Sequence, residues 1–370
     1  MPDITIPSEL LPNDGRFGCG PSRVRPEQVN FLSSLNPAIL GTSHRQAPVK
    51  DLVRSVQEGL AELFRIPDGY EVLLGNGGAT AFWDSAVHSL IERQSQHLTF
   101  GEFGAKFATA AHAPFLEAPE VLSAEPGERS AATPHDSIDL YAWPHNETST
   151  GVMAPVRRVH GADGALTVID ATSGAGGIDF DAAEADVYYF SPQKNFGSDG
   201  GLWFALFSPA ALERVERIEG SDRYIPDFLK LSNAVTNSRL HQTLNTPALG
   251  TIALLDEQVR WMNSQGGLAW AAARTHESSN MLYRWAEASS VATPFVSNPD
   301  DRSQVVVTID FDDAIDASAI SKTLRANGIV DTEPYRKLGR NQLRIGTFVS
   351  VEPSDVEKLI SALDYVLEQL

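Results

Sequence analysis

Val187-Tyr-Tyr-Phe-Ser-Pro-Gln-Lys-Asn-Phe-Gly-Ser-Asp-Gly-Gly201 is the stretch from which the rest of the chain can be read. Val187 to Phe190 is an apolar run with the character of a buried strand, and Leu202 to Phe207 is a second one. One basic residue, Lys194, stands on the short connection between them. A charge held between two core strands is costly to desolvate, and a lone lysine in a turn is ordinarily a solvated surface residue. The neighbourhood argues otherwise. Upstream, Leu166-Thr-Val-Ile-Asp-Ala-Thr-Ser-Gly174 is an apolar strand that ends in Asp170. An acid at the carboxyl end of one strand and a lysine after another is the layout of a pyridoxal phosphate site. The lysine condenses with the cofactor aldehyde and the aspartate pairs with the pyridinium nitrogen. The plainer role for Asp170 is a helix cap.

Working outward, apolar strands alternate with helical patterns. The spacing predicts a helix over Asp51 to Phe64, a strand over Glu71 to Leu74, the loop Gly75-Asn-Gly-Gly-Ala-Thr80, and a helix to about Ile91. Further strands are expected at Leu98 to Phe100, Phe115 to Ala118, Ile138 to Ala142, Leu166 to Ile169, Val187 to Phe190 and Leu202 to Phe207. This pattern implies an α/β fold, a mainly parallel sheet with helices on both faces. Ligands in such sheets bind beyond the carboxyl ends of the strands. Gly75, Thr148, Asp170 and Lys194 all fall at or just past expected strand ends. The Gly75–Thr80 loop suits a phosphate at a helix N-terminus, or a tight turn with no ligand. A dinucleotide fingerprint would need glycine where Thr80 stands.

Gly41 to Pro48 reads as a loop, Pro209 opens a helix to about Glu219, and Gly220 to Asn245 has no clear period. Pro247 to Asn263 and Leu268 to Ser289 are long helical patterns. Strand, helix, strand and helix follow at Gln304–Phe311, Ala317–Asn327, Leu343–Val349 and Pro353–Leu370. The expected organisation is an extended arm at 1–15, a large domain at 16–265 and a small α+β domain at 266–370.

The net charge of −19 argues against nucleic acid and anionic membrane surfaces as partners. Cys19 is the single cysteine, which permits no intrachain disulfide and fits a reducing compartment. No basic region followed by an apolar core opens the chain, so no signal peptide is expected. No apolar run approaches the ~20 residues of a membrane span. A cytoplasmic enzyme is the expectation, and no metal is expected.

Several segments resemble the phosphoserine aminotransferases, a class V, fold-type I family of pyridoxal-phosphate enzymes. They are Phe17-Gly-Cys-Gly-Pro-Ser22, Gly41-Thr-Ser-His-Arg45, Gly75–Thr80, His145-Asn-Glu-Thr148, Ser191-Pro-Gln-Lys194 and Leu244-Asn-Thr-Pro247. The likeness runs nearly end to end, and the spelling is similar to the actinobacterial branch. It implies a large domain built on a sheet of the seven-stranded type and transamination between L-glutamate and 3-phosphohydroxypyruvate. The products would be 2-oxoglutarate and O-phospho-L-serine, in serine biosynthesis, with an analogous step of pyridoxine biosynthesis as an additional candidate. It implies Lys194 and Asp170 as catalytic residues, Phe103 stacked on the cofactor ring, and Thr148 at its phenolic oxygen. Ala79, Thr80 and Gln193 would contact the phosphate, with Asn245 and Thr246 reaching it from the second subunit of a homodimer. Ser173 would support the phosphate or Asp170. The substrate would be held by His44, Arg45 and Arg344, the last on its α-carboxylate, with Arg336 or Arg340 at the distal phosphate.

The stretch Arg336–Arg344 packs four of the chain's 29 basic residues into nine positions, which suits an anionic substrate on an acidic protein; it also suits a solvated basic loop. Within the same fold the alternatives are a serine- or alanine-glyoxylate aminotransferase and a cysteine desulfurase. The desulfurase would need a mobile cysteine, and Cys19 sits in a glycine-rich loop. A non-catalytic pyridoxal-phosphate-binding protein would have no use for substrate arginines.

Overall fold

The computed structural model describes residues 4–37 and 39–370; the first three residues of the expected arm lie outside it. A seven-stranded sheet forms the centre. Its strands are β1 (Glu71–Asn76), β2 (Ser95–Thr99), β3 (Glu120–Ser123), β4 (Leu140–Pro144), β7 (Leu166–Asp170), β8 (Val187–Phe190) and β9 (Leu202–Phe207). Residues 146–147 and 152–153, β5 and β6, form a small separate hairpin. The sheet order is β1-β9-β8-β7-β4-β2-β3, and β9 alone runs against the others.

The central strands β7, β8 and β9 are almost wholly apolar because both faces are covered. Their side chains divide by the two-residue period of a strand. Leu202, Phe204 and Leu206 of β9 join one core with Tyr188 and Phe190 of β8, against α2 (Ala47–Phe64) and α7 (Leu249–Gln265). Trp203, Ala205 and Phe207 join the other core with Val187 and Tyr189. That second face is covered by α3 (Gly78–Ser89), α4 (Glu102–Ala110), α5 (Pro209–Glu219) and α6 (Leu231–Arg239). The helix α1 (Pro26–Ser34) begins on Pro26, a residue preset for a first helical turn.

A third core surrounds an antiparallel sheet of β10 (Ala292–Pro294), β11 (Val306–Phe311) and β12 (Gln342–Gly346). Around it lie α8 (Gly267–Ala288), α9 (Ala317–Ala326) and α10 (Pro353–Gln369). Helix α8 spans two cores: Leu268 and Ala271 pack in the large one, Leu282 and Ala286 in the small one. Ile6 and Phe17 also pack in the small core, and the Ile6 amide donates to Asn327 Oδ1 at 2.9 Å.

Some boundaries differ from the sequence reading. Phe115 to Ala118 is not a strand; the strand is Glu120–Ser123. It is the sheet edge, half exposed, and only Val121 and Leu122 of its four residues are apolar, too few to stand out as an apolar run. Helix α2 starts at Ala47, inside the expected loop, because Pro48 falls where the missing N–H is harmless. Strand β1 runs on through Gly75 and Asn76, so only Gly77 separates it from α3. Gly77 and Gly78 have φ of 105° and 70°, which glycine adopts without strain. The segment 220–245 contains α6, which was hidden because only Leu231, Val235 and Ser238 of it are buried.

Candidate active site

The carboxyl ends of β1, β2, β4, β7 and β8 face one edge of the sheet, and the segments that follow them enclose a cavity of about 290 Å³. It is lined by Ala79, Thr80, Trp83, Phe103, Thr148, Asp170, Gln193 and Lys194, among others. The structure therefore brings together seven of the residues singled out from the sequence.

Lys194 follows β8 by four positions. Its Nζ donates to the Cys19 carbonyl oxygen at 2.5 Å. The amine has room there only because residue 20 is glycine: a Cβ on Gly20 would lie 1.9 Å from Nζ. Burial pushes the Lys194 amine down to about 8, and Arg344 pushes in the same direction; Cys19, Asp170 and Glu147 oppose the shift.

Asp170 ends β7 in register with Tyr189 of β8. Its Oδ2 accepts from Trp83 Nε1 at 3.2 Å and its Oδ1 from the Thr172 amide at 2.9 Å. Burial raises the Asp170 carboxyl, and these donors pull it back toward the ionised form. Trp83 lies one helical turn beyond Thr80, on the same face of α3.

After β4, Thr148 Oγ1 and Asn146 Nδ2 each donate to Ser173 Oγ at 2.9 Å, and Ser173 Oγ donates to the Asn146 carbonyl at 2.9 Å. Ser173 thus braces the Thr148 loop while also lining the cavity. The Thr148 carbonyl accepts from Arg344 Nη1 at 2.9 Å. Arg344 lies on β12, so the small sheet touches the loop that lines the cavity through this residue.

The fit to pyridoxal phosphate rests on these groups. First-turn amides of a helix lack intrahelical acceptors, and at α3 they border the cavity through Ala79 and Thr80. A buried carboxylate and a buried amine face the same space. Three lining residues, Asn146, Thr172 and Gln193, have buried polar atoms without a partner among the described residues, as does Arg344 Nε. Unsatisfied buried groups are costly, and a polar, phosphorylated ring would satisfy them.

The remaining predicted residues lie apart. Arg340 is engaged: its Nε donates to the Asp310 carboxylate at 3.0 and 3.2 Å, and its guanidinium lies 4.5 Å from the Phe295 ring. Its expected partner, the substrate phosphate, would have to compete with Asp310. Arg336 is exposed on the same loop. His44 and Arg45 do not line the cavity of their own chain. They cluster with the other two outlying residues: Thr246 Oγ1 lies 3.4 Å from His44 Nδ1, Arg45 Nη1 donates to Gln242 Oε1 at 2.6 Å, and Asn245 and Thr246 are exposed beside them.

Sequence reasoning missed Trp83, Glu147 and Tyr335. The position of Trp83, one turn after Thr80, was a signal that could have found it. Glu147 stood inside a quoted motif but is wholly buried in a way no pattern announces. Tyr335 sits between Phe103, 6.3 Å ring to ring, and Arg344, whose guanidinium is 5.4 Å from its ring. A larger cleft, about 1030 Å³, opens around Phe180, Arg157 and His276. Its buried histidine, His145, is held neutral by burial, down to about 3, and no predicted site residue lines it. Chemistry therefore favours the smaller cavity over the larger one.

The family model for aminotransferase class-V matches residues 21–332. The chain is 60% identical over 366 residues to the phosphoserine aminotransferase of Rhodococcus jostii, covering 99% of this chain and 98% of that one. It is 59% identical over 365 residues to the phosphoserine aminotransferase of Corynebacterium glutamicum, covering 98% and 97%. Among solved structures, a phosphoserine aminotransferase from Cytophaga hutchinsonii superposes with a TM-score of 0.88 over 95% of this chain and 99% of that one. Its identity is 24%, so that likeness is one of fold.

Proposed function

The chain belongs to the aminotransferase class-V family, and from that membership we propose that it catalyses pyridoxal-phosphate-dependent transamination from L-glutamate to 3-phosphohydroxypyruvate. The products are 2-oxoglutarate and O-phospho-L-serine. The observation that carries this reading is one cavity holding a desolvated lysine, a buried carboxylate and the N-terminus of α3, with Arg344 of the small sheet bonded to the carbonyl of its lining residue Thr148. The names of the full-length relatives support the choice of substrate.

Pyridoxal phosphate, when bound, supplies an electron sink for the bond being broken at the substrate's Cα. The α3 amides at Ala79 and Thr80, with Gln193, would hold its phosphate. Asp170 would pair with the protonated ring nitrogen, Thr148 would bond the phenolic oxygen, and Phe103 would pack on the ring. Lys194 Nζ, with a pKa near 8, is neutral often enough at neutral pH to take the Cα proton and return it. Arg344, with Nε unpartnered, binds the α-carboxylate.

His44, Arg45, Asn245 and Thr246 act as one surface patch delivered to the cavity of a second copy, making the enzyme a homodimer with shared sites. The Thr246–His44 contact and the absence of all four from the lining of their own cavity support this. Arg336 serves the distal anion. We read the chain as an arm at 1–15, a large unit, 16–265, and a small unit, 266–370, with residues 4–11 packed on the small one. No helix among the described residues is long and apolar enough to cross a membrane, and we assign the enzyme to the cytoplasm.

The test is spectroscopic. Protein loaded with pyridoxal phosphate should lose its visible absorption band on adding glutamate or phosphoserine and regain it with 3-phosphohydroxypyruvate. A band that responds to serine or alanine but not to phosphoserine would overturn the substrate assignment.

A further inference from the structure

We propose that Glu147 is a positioning residue that locks the first turn of α4, and with it the Phe103 wall of the cavity, to the loop carrying Thr148. The proposal rests on the reading of the cavity as a cofactor site. Helix α4 begins after Gly101, which has no side chain to cap it. Its first three amides are instead capped from across the fold. The Phe103 and Gly104 amides both donate to Glu147 Oε2 at 3.0 Å, and the Glu102 amide donates to Ser149 Oγ at 3.0 Å. The other carboxylate oxygen, Oε1, accepts from the Ser149 amide at 3.1 Å and from Ser149 Oγ at 2.7 Å. Four donors thus converge on one wholly buried carboxylate.

The capping need not have come from so far away. Serine or aspartate at position 101 would satisfy a helix start locally. Here a side chain at 101 is excluded: a Cβ would fall 2.3 Å from Glu147 Cγ and 2.4 Å from Ser149 Oγ. What the distant cap adds is registration. Thr148 lies between the two capping residues, and its carbonyl holds Arg344. The ring wall, the Thr148 hydroxyl and the Arg344 guanidinium are therefore fixed relative to one another through one carboxylate. Burial raises the Glu147 carboxyl, while the Ser149 hydroxyl and the surrounding amides favour its ionised form; the helix dipole acts in the same sense. A carboxamide could not replace it, since its NH₂ would face N–H or O–H donors on one side.

The test compares Glu147→Gln and Ser149→Ala with the parent. In cofactor-free protein, residue-resolved amide exchange at Phe103 and Gly104 should quicken roughly 10- to 100-fold in Glu147→Gln, the scale of a lost charge-assisted hydrogen bond. Amides of β7 should keep their rates. Ser149→Ala should quicken Glu102 while Phe103 and Gly104 stay protected. In protein loaded with pyridoxal phosphate, the visible circular dichroism of the bound cofactor should fall about twofold or more in Glu147→Gln. Should that variant not fold, Glu147→Asp, with the charge drawn back by one methylene, should show the same changes at smaller amplitude. Unchanged exchange at Phe103 and Gly104, or equal acceleration throughout the protein, overturns the proposal. So does altered exchange with unaltered dichroism, which would leave Glu147 a cap and nothing more. A parent that takes up no pyridoxal phosphate would defeat the functional reading instead, and the exchange measurements would still decide whether Glu147 grips α4.

Discussion

The Lys194 cavity and the basic stretch Arg336–Arg344 both bring charge to bear on small anions, yet they are built in opposite ways. Around Lys194, Asp170 and Thr148 are buried near strand ends and held by named partners, Trp83 for Asp170 and Ser173 for Thr148, with Lys194 itself half-buried. In the basic stretch, Arg336, Lys337 and Arg340 are exposed, and only Arg344, already on β12, enters the cavity region. Lys194 is driven toward neutrality by burial, to about 8, whereas Lys337 is raised above its ordinary value by its hydrogen bond to Glu102. One region is shaped to change a proton's position, the other to keep positive charge at the surface. Binding a dianion across both then depends on how loop 332–340 and a second copy's patch meet the cavity.

The largest expected effect lies on the buried side. Lys194→Ala should keep pyridoxal phosphate bound but lose transamination by at least roughly 10²- to 10⁴-fold, the scale of a positioned general base. In the parent, hydride reduction should leave the cofactor covalently on Lys194 in peptide mass spectra. The comparison can also be titrated. In cofactor-free protein, amine labelling of Lys194 should rise through pH about 8, because deprotonation frees the nucleophile. Labelling of Lys337 should rise only at higher pH, since its ammonium is the stabilised form. A common midpoint for both lysines would erase the distinction between the regions.

The same contrast decides what could be read in advance. Lys194, Asp170, Thr80 and Thr148 were legible because a doubly covered sheet writes its strands as apolar runs, and the residues that break those runs fall at one edge. Phe103 and Gln193 were named from the family resemblance. Beyond the strands the code weakens. The edge strand Glu120–Ser123 was misplaced because one-sided burial dilutes its apolar signal, and α6 was hidden because it buries few side chains. Arg340 could not be told from Arg336, since what separates them is Asp310, thirty residues upstream and adjacent only after β11 and β12 pair. His44 and Arg45 were recognised, but their separation from their own cavity is a property of three-dimensional placement.

Intermediate effects should divide the substrate's two ends. Arg344→Ala should lower kcat/KM for glutamate, phosphoserine and alanine alike by roughly 10- to 150-fold, the worth of a charge-assisted hydrogen bond of about 1.5–3 kcal/mol. Arg45→Ala and Arg336→Ala should impair only the doubly anionic substrates. Equal depression of alanine by Arg45→Ala would show that the ends are assigned wrongly. Mixed dimers of a Lys194→Ala subunit with an Asn245/Thr246 double mutant should recover up to one good site. Verified heterodimers without recovery would return the surface patch to its own subunit.

The smallest effect expected is the most discriminating within the basic stretch. Arg340 and Arg336 are four residues apart and equally charged, so a purely electrostatic view of the loop would have both attract a phosphate. Geometry separates them. Arg340 is bound to Asp310, which also accepts from Gln342 Nε2 at 2.8 Å, and it lies against Phe295. Turning it toward the cavity would leave Asp310 without its cation and uncover the Phe295 ring. Both partners are partly solvated, with side-chain exposures of 44% and 21%, so the ion pair should contribute no more than about 1 kcal/mol. Arg340→Ala should therefore lower Tm by about 1–2 °C and leave kcat/KM for phosphoserine unchanged relative to alanine. Arg336→Ala should do the reverse, sparing Tm and narrowing the preference for phosphoserine. If Arg340→Ala instead narrows that preference while Asp310→Asn leaves it intact, the ion pair yields to substrate, and the loop rearranges on binding to bring Arg340 into the site.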